Sequence, residues 1–170
     1  MTGRDDVRLV PLGREHLART REWTNDSDLM RLMDRSRIVS EIEHEAWFAS
    51  IATRDDCEYF AIEQAGEPRH VGNVWLWAID ARHCKAELRI VVGEPSARGR
   101  GVGHLAIDQL CRHAFDQLAL HRIYAYVLAI NPGAKRAFEK AGFVVEGRLK
   151  DDRSTASGFV DSWLLARVVR

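Results

Sequence analysis

The sequence predicts an α/β (α+β) fold: a mixed, mostly antiparallel central sheet with helices on both faces. Three observations carry the prediction. Strand-like runs at 58–63 and 71–79 follow one another with only a turn between them, which favours antiparallel pairing. From 86 to 149 the pattern becomes strand, helix, strand, helix, strand, and a strand-to-strand passage through a helix favours parallel pairing. No internal repeat or low-complexity segment competes with this reading.

Taken in order, residues 7–10 alternate as a short first strand ended by Pro11. Helical patterns follow at 15–23 and 28–33, and Asp26 or Ser27 can cap the second. Ser40 and Glu43 have the spacing of a capping box, and Ala46, Trp47, Ser50 and Ile51 supply the stripe of a third helix. The strands at 58–63 and 71–79 flank Gln64-Ala65-Gly66-Glu67-Pro68, a turn by composition, and read as a hairpin. The β-branched run at 86–92 is a strand ended by Gly93 and Pro95. Beyond Gly103, the recurrence of Leu110, Cys111, Ala114, Phe115 and Leu118 at spacings of three and four predicts a long helix. A buried strand at 123–130 leads to a helix with Asn131 as cap and Pro132 at its first position. Strands at 143–149 and 159–168 complete the set.

With 170 residues the chain reads as one domain spanning 1–170. Acidic and basic residues balance at 25 each, so no global field draws it to nucleic acid or to a membrane surface. Cys57, Cys84 and Cys111 are odd in number and widely spaced, which argues against a disulfide framework and against a metal site. The polar first six residues and the lack of any long apolar run point to the reducing cytoplasm. A homodimer is compatible with the chain.

Arg98-Gly99-Arg100-Gly101-Val102-Gly103 joins the strand at 86–92 to the long helix. Glycines permit positive φ and close approach of a ligand to the backbone, and the first helical turn leaves its N–H groups without partners, so the stretch suits an anion such as phosphate. It lacks the Lys-Ser/Thr of a nucleotide P-loop, and His104 stands where a dinucleotide fingerprint needs its third glycine. A glycine-rich turn without a ligand is the alternative reading.

Arg98-x-x-Gly101-x-Gly103 resembles the pyrophosphate motif of the GNAT acetyltransferase superfamily. The block from Asn131-Pro132-Gly133-Ala134 to Gly142-Phe143 resembles the later helix of that family, and the likeness extends over about 7–168. The resemblance implies acetyl-CoA as the acyl donor, held in a core at about 85–145 by a splayed strand pair. It also implies cofactor contacts from Ile90, Val91 and Val92 on the strand and from Arg98, Gly99, Arg100, Gly101, Val102, Gly103 and His104 in the loop. Asn131 would reach the pantetheine or cap its helix, and Arg136, beside Lys135, would reach the adenosine phosphate or stay solvated.

By the same resemblance Glu87 is the candidate catalytic base for the acceptor amine, with a Glu87–Arg89 ion pair as the alternative, since the two share a strand face. Phe138 stands where many relatives carry a tyrosine that protonates the leaving thiolate, and it has no hydroxyl. Tyr124, Tyr126 or a water are the substitutes. The early helices at about 13–53 would face the acceptor, with Trp23, Asn25, Met33, His44 and Trp47 as binding residues. A small-molecule amine, an amino-sugar derivative ahead of a polyamine or a ribosomal-protein N-terminus, is the expected acceptor. A polyamine would want clustered acids, and Glu41, Glu43 and Glu45 are the candidates. A non-catalytic acyl-CoA sensor is the reading of another class.

Overall fold

The structure is a computed structural model and describes residues 7–170. Seven strands form one sheet: β1 (Val7–Pro11), β2 (Glu58–Gln64), β3 (His70–Asp80), β4 (Lys85–Val92), β5 (Arg122–Leu128), β6 (Val144–Thr155) and β7 (Gly158–Val168). Their spatial order is β1-β2-β3-β4-β5-β7-β6, antiparallel throughout except for the parallel pair β4–β5. The helices are α1 (Leu17–Thr24), α2 (Ser27–Leu32), α3 (Glu41–Ile51), α4 (Val102–Asp116) and α5 (Pro132–Lys140). The mixed, mostly antiparallel sheet expected from the sequence is the sheet observed.

Alternation along the strands sorts the two faces. Val74 and Leu76 of β3 and Leu88 of β4 join Ala106, Ile107 and Leu110 of α4 in one core, all nearly solvent-free. Burying a side chain of this size contributes about 1.5–3 kcal/mol. The residues between them on β3, Asn73, Trp75 and Trp77, turn to the opposite face, where α1 and α3 lie. Helix α4 returns the chain from β4 to β5, the long crossover that a parallel pair requires.

Local signals are realised at the helix starts. Ser40 Oγ accepts from the Glu43 amide at 3.3 Å while the Glu43 carboxylate accepts from the Ser40 amide at 2.8 Å, a complete capping box. Asn131 Oδ1 accepts from the Ala134 amide at 3.2 Å behind Pro132, and Asp26 Oδ1 from the Leu29 amide at 2.9 Å.

Three details differ from expectation. Ala46 and Ser50 of α3 are exposed, and the inward stripe is His44, Trp47 and Ile51, because the helix packs over a cavity rather than on a closed core. Strand β5 stops at Leu128, where the Asn131 amide bonds the Leu128 carbonyl and turns the chain into α5. Strand β6 runs on to Thr155 because its hairpin with β7 is longer than the apolar pattern that marks its start, with register shifts before Gly147 and Arg153.

Candidate active site

Strands β4 and β5 pair at three positions only, Lys85 with Arg122, Ala86 with Ile123 and Glu87 with Tyr124, and then part. The edge of β4 beyond Leu88 is left without a strand partner on that side, and such an edge can pair with an extended ligand. A cavity of about 290 Å3 occupies the gap, lined by Glu87, Ile90, Tyr126, Asn131 and Phe138 among others. Ile90, Met33 and Asn131 also line a second cavity of about 450 Å3 at the glycine loop.

The loop is built as its sequence suggested. Gly99 and Gly101 take φ of 72° and 86°, conformations that cost other residues strain. Gly101 is the N-cap of α4, and the first helical bond runs from the Leu105 amide to the Gly101 carbonyl at 3.2 Å. Helical geometry therefore leaves the amides of Val102, Gly103 and His104 to a ligand, at the positive end of the helix. These features fit a pyrophosphate.

The predicted cofactor residues divide into three sets. Ile90, Val91, Val92, Gly99, Gly101, Gly103, His104, Asn131 and Arg136 line the loop cavity. Arg98 lines it too, but its guanidinium donates to the Val92 and Gly93 carbonyls at 2.9 and 2.8 Å, so it braces the loop against the end of β4. Arg100 is exposed and outside the cavity lining, and the Val102 side chain is buried in the core at 2% exposure, which leaves only its amide for a ligand. Gly133, Ala137 and Lys140 of α5 line the same cavity, as helical neighbours of Arg136 and Asn131.

A third cavity of about 640 Å3 lies on the other face of the sheet and shares Arg35, Trp75 and Arg89 with the gap. Its walls are Trp23, His44 and Trp47 from the helices and Tyr59, Trp75 and Trp77 from the sheet. Tyr59 stacks on its register partner Trp75 with ring centroids 5.3 Å apart, and Trp47 stands edge-on to Tyr59 at 5.4 Å. Burial raises the Tyr59 hydroxyl to about 12. His44 stacks on Trp47 at 5.0 Å, and burial lowers its pKa. The Nε2 of His44 and the Nε1 of Trp75 are buried without hydrogen-bond partners.

Of the five residues expected to bind the acceptor, Trp23, His44 and Trp47 line this third cavity. Met33 instead lines the gap and the loop cavity. Asn25 is corrected: its side-chain amide donates to the Val39 carbonyl at 2.9 Å and accepts from the Val39 amide at 2.8 Å, so it ties the loop after α2 to the end of α1 and lines none of the three cavities. Trp23 is a wall rather than a free ring, since it lies directly over Gly93 and stands edge-on to His70 at 4.7 Å. Sequence reasoning missed Tyr59, Trp75 and Trp77, which the period-2 pattern of β3 and the antiparallel register could have found. It also missed Arg35, which lies in an irregular stretch with no periodicity to read.

Glu87 sits at the last shared rung, with its side chain 11% exposed. Both carboxylate oxygens accept from Arg89, at 2.8 and 3.0 Å. The ion pair foreseen as the alternative is thus formed, and it sits in the lining of the gap. Phe138 is buried against Phe143 and also lines the gap. Tyr126 lines it as well, whereas Tyr124 does not. Among the described residues no group of three or more His, Cys, Asp or Glu could hold a metal ion, and no helix is long and apolar enough to cross a membrane.

Comparison with known proteins agrees with this geometry. The profile of the acetyltransferase (GNAT) domain matches residues 6–144. The spermidine N(1)-acetyltransferase of Vibrio cholerae is 34% identical over 93 residues, an alignment covering 55% of this chain and only 53% of that protein. The spermidine N(1)-acetyltransferase of Escherichia coli K12 is 28% identical over 149 residues, covering 88% of this chain and 78% of its own. A crystal structure of the Vibrio cholerae spermidine N-acetyltransferase in complex with CoA and spermine superposes with a TM-score of 0.89 at 25% identity, over 96% of this chain and 95% of that one. A strand pair that parts beside a glycine loop at a helix start, together with a matching profile over most of the sequence, establishes that this chain belongs to the GNAT acetyltransferase family.

Proposed function

We propose that the protein is an acetyl-CoA-dependent N-acetyltransferase that transfers the acetyl group directly to a primary amine of a small molecule. The observation that carries this reading is the gap between β4 and β5: it shares lining residues with the glycine-loop cavity on one side and with the aromatic cavity on the other, and Glu87 stands at its closed end. Donor and acceptor can therefore meet without a covalent acyl-enzyme.

Acetyl-CoA would supply the activated acyl carbon: the C–N bond forms, the thioester C–S bond breaks, and the ammonium nitrogen loses two protons, one to the base before attack and one that ends on the departing thiolate. The amides of Val102, Gly103 and His104 hold the pyrophosphate, and Arg98 keeps the loop in shape for it. Glu87 takes the ammonium proton, directly or through a water; Arg89 keeps the carboxylate in place and competes with the ammonium for it. Tyr126 lines the gap and is the candidate to protonate the thiolate, a role that Phe138, with no hydroxyl, cannot fill. None of the cysteines is needed, and all three are unpaired thiols, which supports a reducing cytoplasm as the working compartment.

The names of the relatives favour a polyamine acceptor over the amino-sugar derivative that the sequence placed first. The charges of the aromatic cavity do not favour a polycation. Of the acids expected to cluster, Glu43 is tied to Ser40 and Arg37, which hold its carboxyl down at about 2, Glu45 pairs with Arg14, and Glu41 is exposed. A relative is described as dodecameric, which supports a multimeric assembly here. Release of free thiol from acetyl-CoA across a library of amines, with acetylated products identified by mass spectrometry, tests the reading. Tight binding of acetyl-CoA with no thiol release above background would replace it with a non-catalytic sensor.

A further inference from the structure

The aromatic cavity is lined by four arginines, Arg35, Arg37, Arg54 and Arg89, against a single acid, Glu43. Three of the four have carboxylate partners: Arg37 with Glu43 at 2.7 Å, Arg54 with Asp56 at 2.7 Å, and Arg89 with Glu87 at 2.8 Å. Arg35 does not. Among the described residues no carboxylate lies within 4.0 Å of its guanidinium, and it makes no side-chain hydrogen bond there. It stands where the aromatic cavity and the gap meet, since it lines both, together with Trp75 and Arg89.

Arg35 is only partly exposed, and its burial, with the neighbouring charge of Arg89, works against the cation and lowers its pKa. A partly desolvated cation without a counter-charge is costly unless something supplies one. Two further groups in the same lining share the deficit. Trp75 is 6% exposed and His44 4% exposed, and the Trp75 Nε1–H and His44 Nε2 have no partner. An indole N–H can only donate, so it needs an acceptor.

We propose, building on the acetyltransferase reading, that the acceptor amine carries an anionic group, a carboxylate or a phosphate, which Arg35 holds at the junction of the two cavities with hydrogen bonds from Trp75 Nε1 and His44 Nε2. The amine then lies towards Glu87, which lines the same gap as Arg35, and the remaining body of the substrate lies between the rings of Trp47, Tyr59 and Trp77. Specificity by charge follows. A guanidinium with no carboxylate of its own repels a second cation at the place where a polyamine would have to pass, and attracts an anion at the same place.

The test measures kcat/KM for matched acceptors: glucosamine against glucosamine 6-phosphate, tryptamine against tryptophan, and spermidine as the polycation, with acetyl-CoA affinity measured separately by calorimetry. The expected result is a preference of about 10- to 100-fold for the anionic member of at least one pair, the worth of a charge-assisted hydrogen bond. The phosphate pair and the carboxylate pair show which anion is used. Arg35→Gln should bring that ratio close to one and Arg35→Lys should restore part of it, while acetyl-CoA affinity stays as in the parent protein. Turnover confined to spermidine or to the members without an anionic group, or a preference that survives Arg35→Gln, overturns the proposal and leaves the acetyltransferase standing. Failure to bind acetyl-CoA would bring down the acetyltransferase itself.

Discussion

Glu87 and Tyr124 are the last residues that β4 and β5 hold side by side before the strands part. The carboxylate is thereby anchored on paired backbone at the edge of an opening, and burial together with the Glu87 charge raises the Tyr124 pKa beside it. Replacing Glu87 with Gln keeps the shape and removes the base. The expected outcome is a loss of about 10²-fold or more in kcat at neutral pH, as typical of a lost general base, with acetyl-CoA affinity unchanged in calorimetry. An unaltered rate would make the Glu87–Arg89 pair structural only.

Tyr126 lines the gap and carries the hydroxyl that Phe138 lacks. Tyr126→Phe is expected to lower kcat by about 10²-fold with little change in KM for either substrate, since the proton is needed only as the thiolate leaves. Steady-state thiol release measures both parameters, and an unchanged kcat would give the role to water.

Two glycines of the loop separate binding from folding. At Gly101, φ is 86° and an added Cβ would stand 3.0 Å from the His104 ring, so Gly101→Val should lose about 1–3 kcal/mol of stability as well as cofactor affinity. Gly103 has no such backbone demand, and its Cβ would lie 3.5 Å from that of Ala137, inside the loop cavity. Gly103→Val should weaken acetyl-CoA binding while the thermal midpoint stays near the parent value.

The buried histidines predict a pH response of stability. Burial lowers the pKa of His70, whose Nε2 bonds Asn73 Oδ1 at 2.9 Å and whose ring meets His16, Trp23 and the charge of Arg19; His44 is lowered likewise. The unfolded chain therefore binds more protons than the folded one, so stability is full above about 6.5 and declines as the pH falls below it. Urea midpoints should drop between pH 7.5 and 5.5, before the lowered carboxylates of Glu63 and Glu94 begin to titrate. His70→Gln should show a shallower slope over that window, and an equal slope would remove His70 from the account.

Thiol chemistry should be silent. Cys111 has no exposed surface and burial raises it to about 12, and Cys57 is buried and raised as well, while Cys84 is partly exposed. Iodoacetamide at pH 7.5 is expected to label one thiol per native chain without loss of activity, read by intact mass and thiol release. Inactivation on labelling would reopen a covalent route.

What could be read from the sequence was local. Ser40 and Glu43, Asn131 and Pro132, and Gly101 before α4 each announce themselves because both partners lie within a few residues. The coexistence of antiparallel and parallel pairs was legible, but the insertion of β7 between β5 and β6 was not, because pairing across the chain leaves no local mark. Residues whose role depends on distant backbone were less visible. Asn25 looked like a substrate contact until its bonds to Val39 were seen, and Arg98 like a phosphate ligand until its bonds to the β4 carbonyls were seen. Arg35 gave no signal at all, since nothing near it in the chain says that every other arginine of the cavity would be neutralised.

The pair of hydrogen bonds between Asn25 and Val39 acts as a buckle: it closes the segment from 26 to 38 into a strap whose two ends are fixed to each other. Arg35 and Arg37 ride on that strap, and Asp34 tethers its crest to Arg153 of β6. Exchanging this one short strap would thus alter acceptor and donor sides together, because its Leu29, Leu32 and Met33 wall the glycine-loop cavity while Arg35 and Arg37 wall the aromatic one.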